Sequence, residues 1–115
     1  MKIFVFGSNL AGRHGKGAAL EARTKYGAEY GVGEGRTGFA YAIPTKDHDL
    51  RPRSLGVIEL SVERFIKYAE EHPELEFLVC RVGCGLAGYT DEEIAPFFAK
   101  APTNCELPAG WRQPM

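Results

Sequence analysis

The chain has little of most features that mark a specialised class. It has three cysteines, Cys80, Cys84 and Cys105, an odd number with no CxxC pair. This fits buried thiols in a reducing compartment better than a disulfide framework or a zinc site, so the expected location is cytoplasmic. Acidic and basic residues nearly cancel, 15 against 14, for a net charge of −1. With both signs interspersed and no basic stripe, sequence-specific binding of a nucleic-acid polymer is not expected. The opening "MKIFVFGSN" has one lysine and a run of four apolar residues before Gly7, too short for a signal peptide, and no stretch approaches a membrane span. Repeats, low-complexity segments and linkers are absent. At 115 residues, 44% hydrophobic and 25% charged, residues 1–115 are expected to form one globular domain.

What the chain does have is glycine, 14 residues of it, gathered in loops. "KIFVF" (2–6) reads as a strand covered on both faces, followed by the loop "GSNLAGRHGKG" (7–17). "AALEARTKY" (18–26) reads as a short helix stopped by Gly27. Residues 27–38 hold five glycines and no stable periodicity, and "FAYAIPT" (39–45) is a second strand. Residues 55–71 give the clearest helix: Leu55, Ile58, Val62, Phe65, Ile66 and Ala69 share one face, Ser54 can cap it, and Pro73 ends it. "EFLVCRV" (76–82) is a third strand. Thr90 and Glu93 form a capping box opening "DEEIAPFFAK", with a kink or short helix expected at Pro96, and "CELP" (105–108) is a short last strand.

Strands alternating with helices predict a mostly parallel sheet with helices on both faces, and in such sheets ligands sit beyond the carboxyl ends of the strands. Three loops leave those ends: "GSNLAGRHGKG", "PTKDHD" and "GCGLAGYT". Their polar and glycine-rich residues are expected to converge at one edge.

Each loop supports two readings. The glycines Gly83, Gly85 and Gly88 lie between a strand and a helix start, where open amides and the helix dipole favour an anion; a tight turn that only solves backbone geometry explains them as well. The loop is neither a Walker motif nor a dinucleotide fingerprint. Gly12, Gly15 and Gly17 form a second such loop. Asn9 offers a donor and an acceptor to a hydroxyl-rich ligand such as a ribose, and Arg13, His14 and Lys16 can meet phosphate or remain solvated. Lys46, at a strand end, is placed to hold a phosphate or act as a nucleophile, or is an ordinary surface lysine. Cys84 reads as a small packed side chain, and Asp91 as a first-turn helix residue with catalysis its second use. Tyr89 and Trp111 can stack on a base or pack in the core. "KDHD" (46–49) has no second ligand cluster, and no metal or cofactor is expected.

With these loops in view, the chain resembles a macro domain over about residues 3–100. "FGSNLAGRHGKGAALEA" looks like that family's strand, asparagine, glycine loop and helix. "AYAIPTKD" is similar to the strand end of the branch containing the terminal ADP-ribose glycohydrolases and the antitoxins that reverse DNA ADP-ribosylation. "VGCGLAGY" looks like the second, phosphate-cradling loop, and the whole pattern resembles small macro-like proteins of phage genomes. The resemblance implies a three-layer α/β/α fold in a minimal, N-terminally shortened version, since the first strand begins at residue 2. It also implies an ADP-ribose-type ligand touching Ser8, Asn9, Gly15, Lys16, Gly17, Thr45 and Lys46 on one side. On the other it implies Gly83, Cys84, Gly85, Leu86, Ala87, Gly88 and Tyr89. Asn9 would approach the distal ribose and Lys46 would attack the linkage. The acidic residue that follows "GCGL" in that branch is Ala87 here, so that catalytic partner is either missing or replaced by Asp91.

Three functions stay open: hydrolysis of ADP-ribosyl linkages on a macromolecule, binding of ADP-ribose or a related signalling nucleotide, and a scaffold in which every glycine is a turn. A version of the second is phage counter-defence that sequesters or degrades a cyclic ADP-ribose-type signal. The expected partner is accordingly a nucleotide or an ADP-ribosylated substrate, with no membrane.

Overall fold

The computed structural model describes residues 2–112. Its first strand, β1 (Ile3–Asn9), alternates its side chains between two cores. Ile3 and Val5 enter one, and Phe4 and Phe6 the other. Each face of the sheet therefore needs a covering layer. The helix α1 (Gly17–Lys25) lies on the second face, ended by Gly27 at φ +75°. β2 (Gly35–Thr37) and β3 (Ala40–Lys46) follow, then α2 (Leu55–Glu71) on the first face. β4 (Phe77–Val79), α3 (Asp91–Ile94), a 3-10 turn (Ala95–Phe98) and β5 (Cys105–Glu106) complete the order.

The sheet runs β2-β3-β1-β4-β5. The pairs β1–β3, β1–β4 and β4–β5 are parallel and β2–β3 is antiparallel. The result is the three-layer α/β/α arrangement with a mostly parallel sheet that the sequence predicts. Pro44 sits inside β3 opposite Ser8. It is tolerated because β2 pairs only with residues 40–42, so no neighbour asks Pro44 for an N–H on that side.

The two faces are unequal. α2 buries Ile58, Val62, Phe65, Ile66 and Ala69, and its N-cap Ser54 accepts from the Val57 amide at 3.4 Å. At about 1.5–3 kcal/mol for each large apolar side chain buried, this face carries most of the hydrophobic stabilisation. α1 offers only Ala19 and Ala22 as buried residues, packed with Phe4 and Phe6. Trp111 returns the tail to the larger core, where it packs on Phe98 at 5.4 Å.

Three expectations need adjusting. The first strand continues past Gly7 to Asn9, because Gly7 lies in the sheet rather than in a loop. The irregular residues 27–38 contain the edge strand β2. The third strand stops at Val79, short of the expected 82. Pro96 ends α3 after one turn and tightens the chain into the 3-10 turn. Among the described residues no helix is long and apolar enough to cross a membrane.

Candidate functional site

The parallel strands β1, β3 and β4 all end at the same edge, and their exit loops meet there. Gly7 is the meeting point: a Cβ built on it lies 3.4 Å from the Gly83 amide nitrogen and 3.5 Å from Thr45 Oγ1. Above it opens a cleft of about 600 Å³. β1 and its loop contribute Ser8, Asn9, Arg13, Gly15 and Lys16, and α1 contributes Gly17, Ala18 and Ala19. β3 and its loop contribute Thr45, Lys46 and Leu50, and β4's loop contributes residues from Cys80 to Ala87.

Of the residues singled out in the sequence, Gly83, Gly85, Leu86 and Ala87 line this cleft together with the β1 and β3 loop residues. Cys84, Gly88, Tyr89 and Asp91 are not among its lining residues. The Tyr89 hydroxyl donates to the Arg53 carbonyl, which ties the loop to the chain after β3. Asp91 accepts from Trp111 Nε1 at 2.9 Å, from Cys84 Sγ at 3.6 Å and from the Arg81 guanidinium. The Trp111 N–H, with Arg81 beside it, holds the Asp91 carboxyl below its ordinary range. Burial, reinforced by Asp91, pushes the Cys84 thiol up to about 11. Cys84 is thus a protonated packing residue, and Asp91 joins Arg81, Cys84 and Trp111. Trp111 is buried in the core and is not presented for stacking on a ligand, whereas Tyr89 is half-buried with its hydroxyl held by Arg53.

Three neutral polar side chains of the cleft, Ser8, Asn9 and Thr45, are also committed. Ser8 Oγ donates to the Gly33 carbonyl, and Thr45 Oγ1 donates to the Ser8 carbonyl at 3.3 Å. Asn9 closes a ring with one residue: its Nδ2 donates to the Arg13 carbonyl at 2.9 Å and its Oδ1 accepts the Arg13 amide at 3.0 Å. These bonds fix the shape of the β1 loop.

What faces the cleft is positive. Arg13, Lys16, Lys46 and Arg81 line it, and none of the lining residues is Asp or Glu. Arg81 is paired with Asp91, leaving three cations without a salt bridge among the described residues. Main-chain donors add to them. α1 begins after Lys16, whose side chain makes no capping bond, so the first-turn amides of Gly17, Ala18 and Ala19 are open. The amides of Gly85, Leu86 and Ala87 likewise make no hydrogen bond among the described residues. The helix after the second glycine loop behaves otherwise. α3 is one turn long, Thr90 and Glu93 seal its N-terminus, and Asp91, Glu92 and Glu93 occupy its first turn. The anion-favouring dipole is therefore α1's, not α3's.

Sequence reasoning missed Tyr30, Leu50, Cys80 and Arg81 as cleft residues. The signal for Tyr30 was an aromatic residue within a glycine-rich segment. That segment folds over the β1 loop: the Gly31 amide donates to the Gly12 carbonyl at 2.8 Å, and Tyr30 meets the His14 ring edge-on at 6.1 Å. His14 itself is fully buried, and neither ring nitrogen has a hydrogen-bond partner.

No protein-family model matches the chain, and no curated protein matches its sequence. Among solved structures the chain is similar to the macrodomain of Mycobacterium tuberculosis DarG. The TM-score is 0.61 at 21% identity, over 84% of this chain and 81% of that one. Strand order, helix layers and this likeness agree: the chain has the macrodomain fold.

Proposed function

We propose that the cleft binds ADP-ribose or a related nucleotide by its diphosphate. The observation that carries this reading is the charge arrangement. In a chain of net charge −1, four cations and no carboxylate line one cleft, beside two sets of open amides. A diphosphate between the α1 N-terminus and the Gly85–Ala87 amides would meet donors on both sides, with Lys16 and Lys46 within the same cleft.

Capture is favoured over cleavage. Hydrolysis of an ADP-ribosyl linkage needs a nucleophile or activated water together with a proton donor or acceptor. Lys46 is the one lysine at a strand end in the cleft, but Asp91 is held by Arg81 and Trp111, and position 87 is alanine. Sequestering a soluble nucleotide asks for no carboxylate.

Calorimetry with ADP-ribose, followed by recovery of the ligand after denaturation, tests both parts. Saturable binding with intact ligand recovered is expected. Absence of binding rejects the reading, and release of ADP-ribose from ADP-ribosylated protein or DNA at stoichiometric enzyme rejects capture in favour of hydrolysis.

A further inference from the structure

Resting on the nucleotide reading, we infer that the cleft selects its ligand by charge and by ring faces rather than by the base edge. It therefore accepts purine and pyrimidine diphosphates alike. Reading a base edge requires donors and acceptors aimed at it. Of the four neutral hydroxyl and amide side chains in this cleft, Ser8, Asn9 and Thr45 hydrogen-bond to the protein's own main chain, and the fourth, Tyr30, stands at the mouth as a single phenol. The remaining polar side chains are mainly lysine and arginine, which donate and never accept, and they suit phosphate equally with any base attached.

The mouth of the cleft supplies the other half of the argument. Six large apolar side chains are exposed among the described residues, and three of them, Tyr30, Leu50 and Leu86, line this cleft from three different loops. Leu86 is 69% exposed, Tyr30 57% and Leu50 40%. Leu50 is also the one described non-glycine residue at positive φ, +63°. An Asp47 turn holds it there: Asp47 Oδ1 accepts the Asp49 and Arg51 amides at 2.9 and 3.0 Å, and the Leu50 amide donates to the Asp47 carbonyl at 3.1 Å. A strained residue that presents an apolar side chain to a phosphate-binding cleft is accounted for by a flat ring resting there. Stacking and apolar contact of this kind tolerate every base, because every base has a face.

Calorimetry with ADP, GDP, UDP, CDP and inorganic pyrophosphate tests the inference. The four nucleotides are expected within about threefold of one another and about tenfold tighter than pyrophosphate. The variant Leu50→Gly removes one exposed side chain and one strained φ and leaves the diphosphate cradle untouched. It is expected to keep its pyrophosphate affinity and to lose most of the nucleotide advantage. A preference of tenfold or more for one base overturns the inference and leaves the diphosphate reading standing, as does an unchanged nucleotide advantage in the variant. Failure to bind pyrophosphate and all four nucleotides overturns both.

Discussion

At the scale of single residues, some glycines of this chain leave open space where a Cβ would stand, and others admit another stretch of main chain. Gly12 belongs to the second group. Its φ is +70°, and a Cβ there would lie 2.2 Å from the Gly31 carbonyl carbon. Gly33 is similar, with a Cβ 2.4 Å from the Asn9 carbonyl oxygen. Gly15 has no atom within 4 Å of a Cβ and no positive φ. Gly12→Ala is therefore expected to destabilise the fold by about 2–4 kcal/mol from overpacking and left-handed strain, while Gly15→Ala changes stability by less than about 0.5 kcal/mol. Urea denaturation of the two variants checks this, and similar midpoints would contradict it. The sequence showed both glycines in one loop, but what separates them is Gly31, a contact across 19 positions that no local pattern encodes.

His14 carries the residue-scale pH dependence. Burial lowers its pKa from the ordinary 6.5, with Arg23 adding to the effect and the Val32 carbonyl opposing it. The unfolded chain then takes up a proton near pH 6.5 that the folded chain refuses, so stability falls as pH drops below 6.5. The carboxylates titrate in a separate window. Trp111 lowers Asp91, the Arg51 amide lowers Asp47, and the Glu74 amide lowers Glu74 itself, so their contribution is lost only below their ordinary values of 3.8 to 4.5. Thermal melts from pH 7.5 to 5 should show a falling midpoint, and His14→Phe should flatten that slope. An equal slope in the variant would assign the loss elsewhere.

At the scale of elements, legibility followed the strength of the hydrophobic period. α2 was readable to its ends because Ile58, Val62, Phe65 and Ile66 mark one face and Ser54 caps it. β2 was not, because Gly35, Arg36 and Thr37 are exposed or half-buried and carry no apolar alternation. It exists because β3 offers it an edge: Arg36 faces Tyr41 in the antiparallel register. The capping box at Thr90 and Glu93 was legible for the same reason as α2, since both of its bonds are local. Thr90→Ala is expected to cost about 1 kcal/mol. The three cleft loops could be gathered from sequence because parallel strands must all end at one edge. Asp91 was not legible, because its partners Arg81, Cys84 and Trp111 are set by tertiary packing. Asp91→Ala is expected to lower the melting midpoint and shift tryptophan fluorescence, since Trp111 loses its acceptor. Unchanged stability with a lost activity would restore Asp91 to a catalytic role.

At the scale of the molecule, the unequal layers set the dynamics of the cleft. α2 anchors one face with large side chains, whereas α1 covers the other with Ala19 and Ala22. A nine-residue helix held by so little buried area is expected to open without unfolding the sheet beneath it. The first turn of that helix also provides one of the two sets of open amides at the cleft. An anion bound there couples its free energy to the least stable layer, worth about 2.7 kcal/mol at a hundred times its dissociation constant. Hydrogen exchange should find the amides of residues 21–25 less protected than those of residues 62–66. Saturating pyrophosphate should slow the first group by about a hundredfold and move the second much less. Equal protection of the two helices without ligand would show that α1 shares the global unit. A ligand effect confined to α2 would move the anion away from the α1 N-terminus.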